Sequence, residues 1–283
     1  MSAFPFDFRM RVLEGPLSRA VASAWYARGT IPYRREKVAP TGSTVAVIVL
    51  GDPIIETPGG PHAVPVRTDT GFLIGPHDRP VTNEPTGETF AVGIVTTPVG
   101  CRAALGIEPA PLAGDVVALL PAWAPGRALR ETLAAEADPE AMLDLVMAHL
   151  EGALDLAVPG LDRCEAAVAM LEADPARPIA DIAAEAGVSH GHLDREFTRL
   201  VGLSPRRLAR LLRVERLLAA VDPAGEPRWA DLAATLGWTD QSHLIRDVKR
   251  HTGVTPSQYL AARRSFATDE AYPEAARFVP EPM

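Results

Sequence analysis

The chain has 283 residues, a formal net charge of −8, 47% hydrophobic and 23% charged residues. That balance is ordinary for globular protein and leaves room for two domains, each with its own core. No apolar run approaches the roughly 18–20 residues of a membrane span, and the N-terminus MSAFPFDFRMRVLEG lacks a basic-then-apolar leader, so neither membrane insertion nor secretion is expected. Two cysteines, Cys101 and Cys164, exclude a disulfide scaffold and fit a reducing cytoplasm. The charge is unevenly spread. Residues 175–266 hold 13 Arg and 1 Lys against 10 acids, a balance of +4, which leaves −12 for the remainder. A basic module is attached to an acidic one, and regional charge is what bears on a polyanionic partner.

Residues 1–156 read as mixed α and β. The run TVAVIVL at 44–50, closed by Gly51-Asp52-Pro53, fits a buried strand and a turn. Further strands are expected at 54–56, 63–67, 72–74 and 89–95. Turn signals separate them: Pro58-Gly59-Gly60-Pro61, Gly75-Pro76-His77-Asp78, and Asn83 to Gly87. Short strands at this spacing predict a small antiparallel barrel or sandwich. Helices are expected at 101–105, 127–137 and 139–154. In the last, Met142, Leu143, Leu145, Val146 and Leu150 form an apolar stripe that packs on its own sheet or on a second subunit.

Catalytic signals are thin in this half. His62, His77 and His149 lack metal-ligand spacing and read as surface or packing residues. There is no phosphate loop and no nucleophile elbow. Nothing near Cys101 marks a depressed pKa, so it reads as structural. Trp25, Tyr26 and Trp123 pack the core or line a pocket. No catalytic residue, metal or cofactor is expected, and the residues that would hold a ligand stay unidentified.

Residues 157–160 (AVPG) break the chain, and a helix follows at 161–172. Beyond it, one small unit is written twice. Ala180, Asp181, Ala183, Ala184 and Gly187 recur fifty residues on as Ala230, Asp231, Ala233, Ala234 and Gly237. After one extra turn residue, His192, Leu193, Arg195, Arg199, Gly202 and Pro205 recur fifty-one residues on as His243, Leu244, Arg246, Arg250, Gly253 and Pro256. Each copy reads as a short helix, a glycine in the left-handed region, a capping Ser189 or Thr239/Asp240, and a second amphipathic helix. That is a helix-turn-helix plan.

The outward face of the second helix holds His190, Gly191, Asp194, Arg195, Glu196, Thr198 and Arg199 in copy one. In copy two it holds Gln241, Ser242, Ile245, Arg246, Lys249 and Arg250, with His243 beside them. Residues near the N-terminal end of such a helix reach base edges in the major groove. Gln pairs with adenine and Arg with guanine through two hydrogen bonds each. Arg199, Lys249 and Arg250 lie a turn further on, where phosphate is the expected contact. The helix starting at Pro205 joins the copies. Over about 15 residues it spans ~22 Å, a length suited to holding two recognition helices in successive groove segments about 34 Å apart. An acid in the reading face, Asp194, weakens affinity unless it accepts from cytosine, so either the second unit contributes more of the specificity than usual or the first reads through Arg195 alone.

This arrangement resembles the C-terminal domain of the AraC/XylS family of bacterial transcription regulators. GWTDQSHLIRDVKRHTGVTPSQYL is similar to that family's signature around its second recognition helix, with Leu244 and Val248 where Phe is usual. The likeness covers residues 161–264. The N-terminal half more weakly resembles the cupin-like effector or dimerisation domains of such regulators. The resemblance implies an α+β fold of two domains: a sensor or dimerisation domain at 1–156, a linker at 157–160, a DNA-binding domain at 161–266 and a flexible tail at 267–283. It implies double-stranded DNA as partner, with a small-molecule effector, RNA polymerase and a second copy of the chain as further ones. A cupin-type metal enzyme with an accessory helical half, or a regulator acting only through protein contacts, are the competing readings.

Overall fold

The computed structural model describes residues 6–31, 34–222, 225–266 and 278–281. The N-terminal domain is built from β1 (Phe6–Val12), β2 (Val21–Gly29), β3 (Arg35–Val38), β4 (Val45–Val49), β5 (Ile54–Thr57), β6 (Val66–Thr68), β7 (Gly71–Ile74), β8 (Val81–Pro85), β9 (Thr89–Thr96) and β10 (Val116–Ala118). A late strand, β11 (Phe278–Glu281), pairs with β3. The strands form two antiparallel sheets, ordered β1-β2-β9-β4-β7-β10 and β11-β3-β8-β5-β6. Val47, Val49, Ile54, Phe72, Ile74 and Val81 pack between them. The result is an open sandwich, not a closed barrel.

β1 is not among the expected strands, and two expectations change. β1 alternates Phe6, Phe8 and Met10 with Asp7, Arg9 and Arg11. Its charged side is answered by Glu140 of a covering helix, 3.2 Å from Arg9 and 2.8 Å from Arg11. Asn83, expected in a turn, lies in β8, where its amide donates to Glu36 Oε1 of β3 at 2.7 Å, so a turn residue is satisfied inside a sheet. The tail, expected to be flexible, supplies β11; its other residues lie outside those described.

α1 (Leu119–Ala122), α2 (Pro125–Ala134) and α3 (Pro139–Ala153) cover the outer face of the first sheet. Met142, Leu143, Val146 and Leu150 of α3 are buried there, so the stripe packs on its own sheet. Cys101 to Leu105 form a buried π-turn closed by Gly106. The second half is helical: α4 (Leu161–Ala173), α5 (Ile179–Glu185), α6 (His190–Val201), α7 (Pro205–Ala220), α8 (Trp229–Thr235), α9 (Gln241–Thr252) and α10 (Pro256–Phe266).

The apolar core divides unequally. One cluster runs from the first sheet through α3 and α4 into Ile182, Leu193, Phe197 and Leu200, and ends at Leu208 and Ala209 of α7. A separate cluster of Val214, Leu217, Ala233, Trp238, Leu244 and Val248 holds the second unit. Among the described residues no helix is long and apolar enough to cross a membrane.

Candidate nucleic-acid interface

The two recognition helices are α6 and α9, and local chemistry starts and stops both the same way. Ser189 accepts from the His192 N–H at 3.3 Å, and Asp240, the cap of copy two, accepts from the His243 N–H at 2.7 Å. Both satisfy orphan donors of a first turn. Accepting backbone N–H bonds also holds the Asp240 carboxyl below its usual range. Gly187 and Gly237 occupy the left-handed region before the caps, at φ +69° and +81°. Leu193, Phe197 and Leu200, and in copy two Leu244 and Val248, are fully buried, which fixes the opposite faces toward solvent.

Those outward faces carry the expected residues. His190, Gly191, Asp194 and Arg195 are exposed on α6; Gln241, Ser242, Arg246 and Lys249 are exposed on α9. A methyl group at Gly191 would sit 3.6 Å from an Arg195 guanidinium nitrogen, so Arg195 reaches back along α6 toward its N-terminal end. His243 directs its ring to Asp247, at 3.5 Å, and to the Thr239 hydroxyl, at 3.2 Å.

The duplication extends to an acid on the inner flank of each recognition helix: Glu196, expected on the outward face, is instead half-buried because Arg163 of α4 draws it inward. Glu196 takes Arg163 of α4 at 2.7 Å and stands 3.9 Å from His192. Asp247, fifty-one residues on, stands 3.8 Å from Arg210 of α7 and 3.5 Å from His243. An arginine from the first helix of the unit, an acid and a histidine thus recur in both units. The repeat is therefore a three-helix unit, α4-α5-α6 and α7-α8-α9. The signal in the sequence was the i, i+4 pairing of His192 with Glu196 and of His243 with Asp247.

The basic side of α7 is mostly structural. Arg207 meets Asp78, Arg213 donates to the Gly237 carbonyl at 3.2 Å and lies over Trp238, and Arg216 donates to the Glu172 and Ala173 carbonyls at 2.5 and 2.6 Å. The last pair closes the C-terminal end of α4, where a cation is favoured.

Arg199 and Arg250 sit at equivalent positions, and each turns toward the N-terminal half. Arg199 donates to the Pro159 carbonyl at 2.7 Å and lies 3.6 Å from Glu108. Arg250 donates to Asp78 Oδ2 through Nε at 3.0 Å and through a terminal nitrogen at 2.8 Å. Arg207 shares the same carboxylate, at 3.2 Å from Nε and 3.1 Å from a terminal nitrogen. Burial alone would raise the Asp78 pKa, but the two guanidiniums more than offset it and hold the carboxyl below its usual range.

A duplicated three-helix unit with paired, solvent-facing recognition helices defines a tandem helix-turn-helix DNA-binding protein. A family model described as a helix-turn-helix domain matches residues 182–262. One described as a domain of unknown function (DUF6597) matches residues 14–118. Residues 182–262 therefore form a helix-turn-helix domain, the kind of module that docks on DNA. No curated protein matches it. Among solved structures, ToxT from Vibrio cholerae is 12% identical over 92% of this chain and 98% of its own, with a TM-score of 0.48. A probable AraC family transcriptional regulator from Rhodopseudomonas palustris CGA009 is 25% identical over 35% of this chain and 95% of its own, TM-score 0.33. A transcriptional regulator with an AraC-type DNA-binding domain from Chromobacterium violaceum is 22% identical over 38% and 95%, TM-score 0.34.

Proposed function

We propose that the protein is a cytoplasmic one-component regulator that reads an operator with α6 and α9 and is governed by its N-terminal sandwich. The carrying observation is that both recognition helices bury one face completely while Arg195, Gln241, Ser242 and Arg246 stand exposed on the other. Arg246 and Gln241 supply two-pronged base contacts, Arg195 does so in the first unit, and Lys249 supplies a phosphate contact. His190, Gly191, Asp194 and His243 flank those contacts. Arg199 and Arg250 belong to the phosphate-binding edge. RNA polymerase and a second copy of the chain are the further partners. Selection of bound genomic fragments tests the reading: one enriched motif with two half-sites about one helical turn apart is expected. Fragments recovered without any common sequence would overturn it.

The sandwich is the effector-sensing part of this reading. Glu56, Asn83 and Glu36 form one row across β5, β8 and β3. Glu56 is 6% exposed, and its Oε2 is buried without a hydrogen-bond partner among the described residues. Burial, then the nearby Glu36, raises its pKa well above the usual range. An unsatisfied buried carboxyl is costly, and an effector bearing a hydrogen-bond donor would relieve it. Thermal stabilisation by such an effector, lost in Glu56→Gln, is the expected readout.

A further inference from the structure

Asp78 belongs to the N-terminal sandwich, in the stretch between β7 and β8. It is 8% exposed, and its carboxylate is gripped by two arginines from two different helices of the DNA-binding domain. Arg250 lies on α9 one turn beyond Arg246, on the same flank of the reading face. Arg207 comes from the first turn of α7, whose N-terminus adds a favourable dipole for an anion. Four nitrogen–oxygen contacts of 2.8–3.2 Å converge on one small anion. Forked guanidiniums around a compact oxyanion are also how a protein holds a phosphate.

We propose that Arg207 and Arg250 form a binding site for a phosphate of the DNA backbone, and that Asp78 occupies it as a built-in competitor. The inference rests on the DNA-binding reading and adds a regulation to it. Two further observations bear on it independently. The equivalent arginine of the first unit, Arg199, is drawn toward another acid of the same domain, Glu108, at 3.6 Å. The glycines that end the two recognition helices also abut that domain: a methyl group at Gly202 would meet Pro76 and Pro109, and one at Gly253 would meet Lys37 and Pro80. The sandwich therefore grips both recognition helices by their C-terminal ends while their base-reading residues stay open. In this arrangement the protein scans bases with its phosphate clamp already filled. DNA gains full affinity only when the Asp78 stretch withdraws, and a signal that moves this stretch sets promoter occupancy.

The test uses the full chain and a mixed-sequence duplex of about three helical turns, because phosphate contacts are indifferent to sequence. Asp78→Asn is expected to bind this duplex about tenfold more tightly than wild type, a coupling of ordinary allosteric size. The slope of log affinity against log salt should steepen by about one to two units as two cations become available. Arg250→Gln should cost at least about fivefold more in the Asp78→Asn background than in wild type. Equal or weaker binding by folded Asp78→Asn, or equal losses in both backgrounds, would overturn the proposal. A readout on the unmodified protein covers the case in which Asp78→Asn fails to fold. The Nε–H resonances of Arg207 and Arg250 should shift when the duplex is added, as both leave carboxylate for phosphate. Resonances unmoved in a formed complex would sink the latch. No binding of any duplex by wild type or variant would instead sink the DNA-binding reading beneath it.

Discussion

The Trp238 indole N–H donates to Asp247 Oδ2 at 2.9 Å, tying the turn of the second unit to the buried side of its recognition helix. Trp238→Phe keeps a ring in the core but removes the donor from a carboxylate that is 7% exposed. Arg210 and His243 remain near Asp247 at 3.8 and 3.5 Å, which limits the loss. Urea denaturation should register about 1–2 kcal/mol of destabilisation. An unchanged midpoint would mean that the bond adds no stability.

Arg246 projects from the middle of the α9 reading face and is exposed. Arg246→Ala is expected to cost roughly 1–3 kcal/mol on the selected operator and to relax discrimination at one base pair. Footprinting with single-base operator variants measures both. Unaltered preference at every position would put the base contacts elsewhere on α9.

Lys249 is exposed one turn further along. Lys249→Ala should weaken binding to all duplexes alike and reduce the salt slope by about one unit. Titrations at several salt concentrations on operator and mixed-sequence DNA separate this from base reading, which a loss confined to the operator would indicate.

Cys101 and Cys164 are unpaired and buried. Burial pushes their thiols up, to about 11 and about 12, so neither is a thiolate at neutral pH. A chromogenic disulfide reagent should find no thiol in the native protein at pH 8 and two after unfolding in urea. Rapid native reaction of either would contradict the described packing.

Gly187 and Gly202 both adopt positive φ, but their surroundings differ. Around Gly187 an added methyl group meets nothing within 4 Å, whereas at Gly202 it would lie 3.1 Å from the Pro109 carbonyl oxygen and 2.9 Å from Pro76. Gly187→Ala should cost about 1–2 kcal/mol from backbone strain alone. Gly202→Ala should cost more and loosen the contact between sandwich and recognition helix. Equal losses in thermal melts would show that this contact yields without cost.

The helix-turn-helix half was legible because each local signal agreed with the next. Leu193, Phe197 and Leu200 keep helical period, Ser189 and Asp240 cap, and Gly187 and Gly237 turn, twice over. The sandwich was half legible. β4 and β9 carry the β-branched runs of central strands, whereas β8 contains Asn83 and a proline and is held by partners on β3 and β5 far away in sequence. The alternation of β1 was present in the residues, but only the acids of α3 explain its charged face. The grip of Asp78 on Arg250 spans 172 residues. No local pattern encodes a pairing of that separation, because it depends on how the two halves of the chain meet.

The division of the apolar core along α7 makes the two reading heads mechanically unequal. The first shares its oil with the sandwich, so denaturant or a destabilising change in the sandwich reaches α6 directly. The second rests on its own six-residue cluster, beginning at Val214 and separated from Ala209 by about one helical turn. A fragment cut at Leu161 would strip α4 and α6 of part of their apolar wall while leaving the apolar wall of α9 intact. Hydrogen exchange should accordingly report two cooperative units whose seam lies inside a continuous helix, and the half of the domain open to exchange between related regulators is the one beyond that seam.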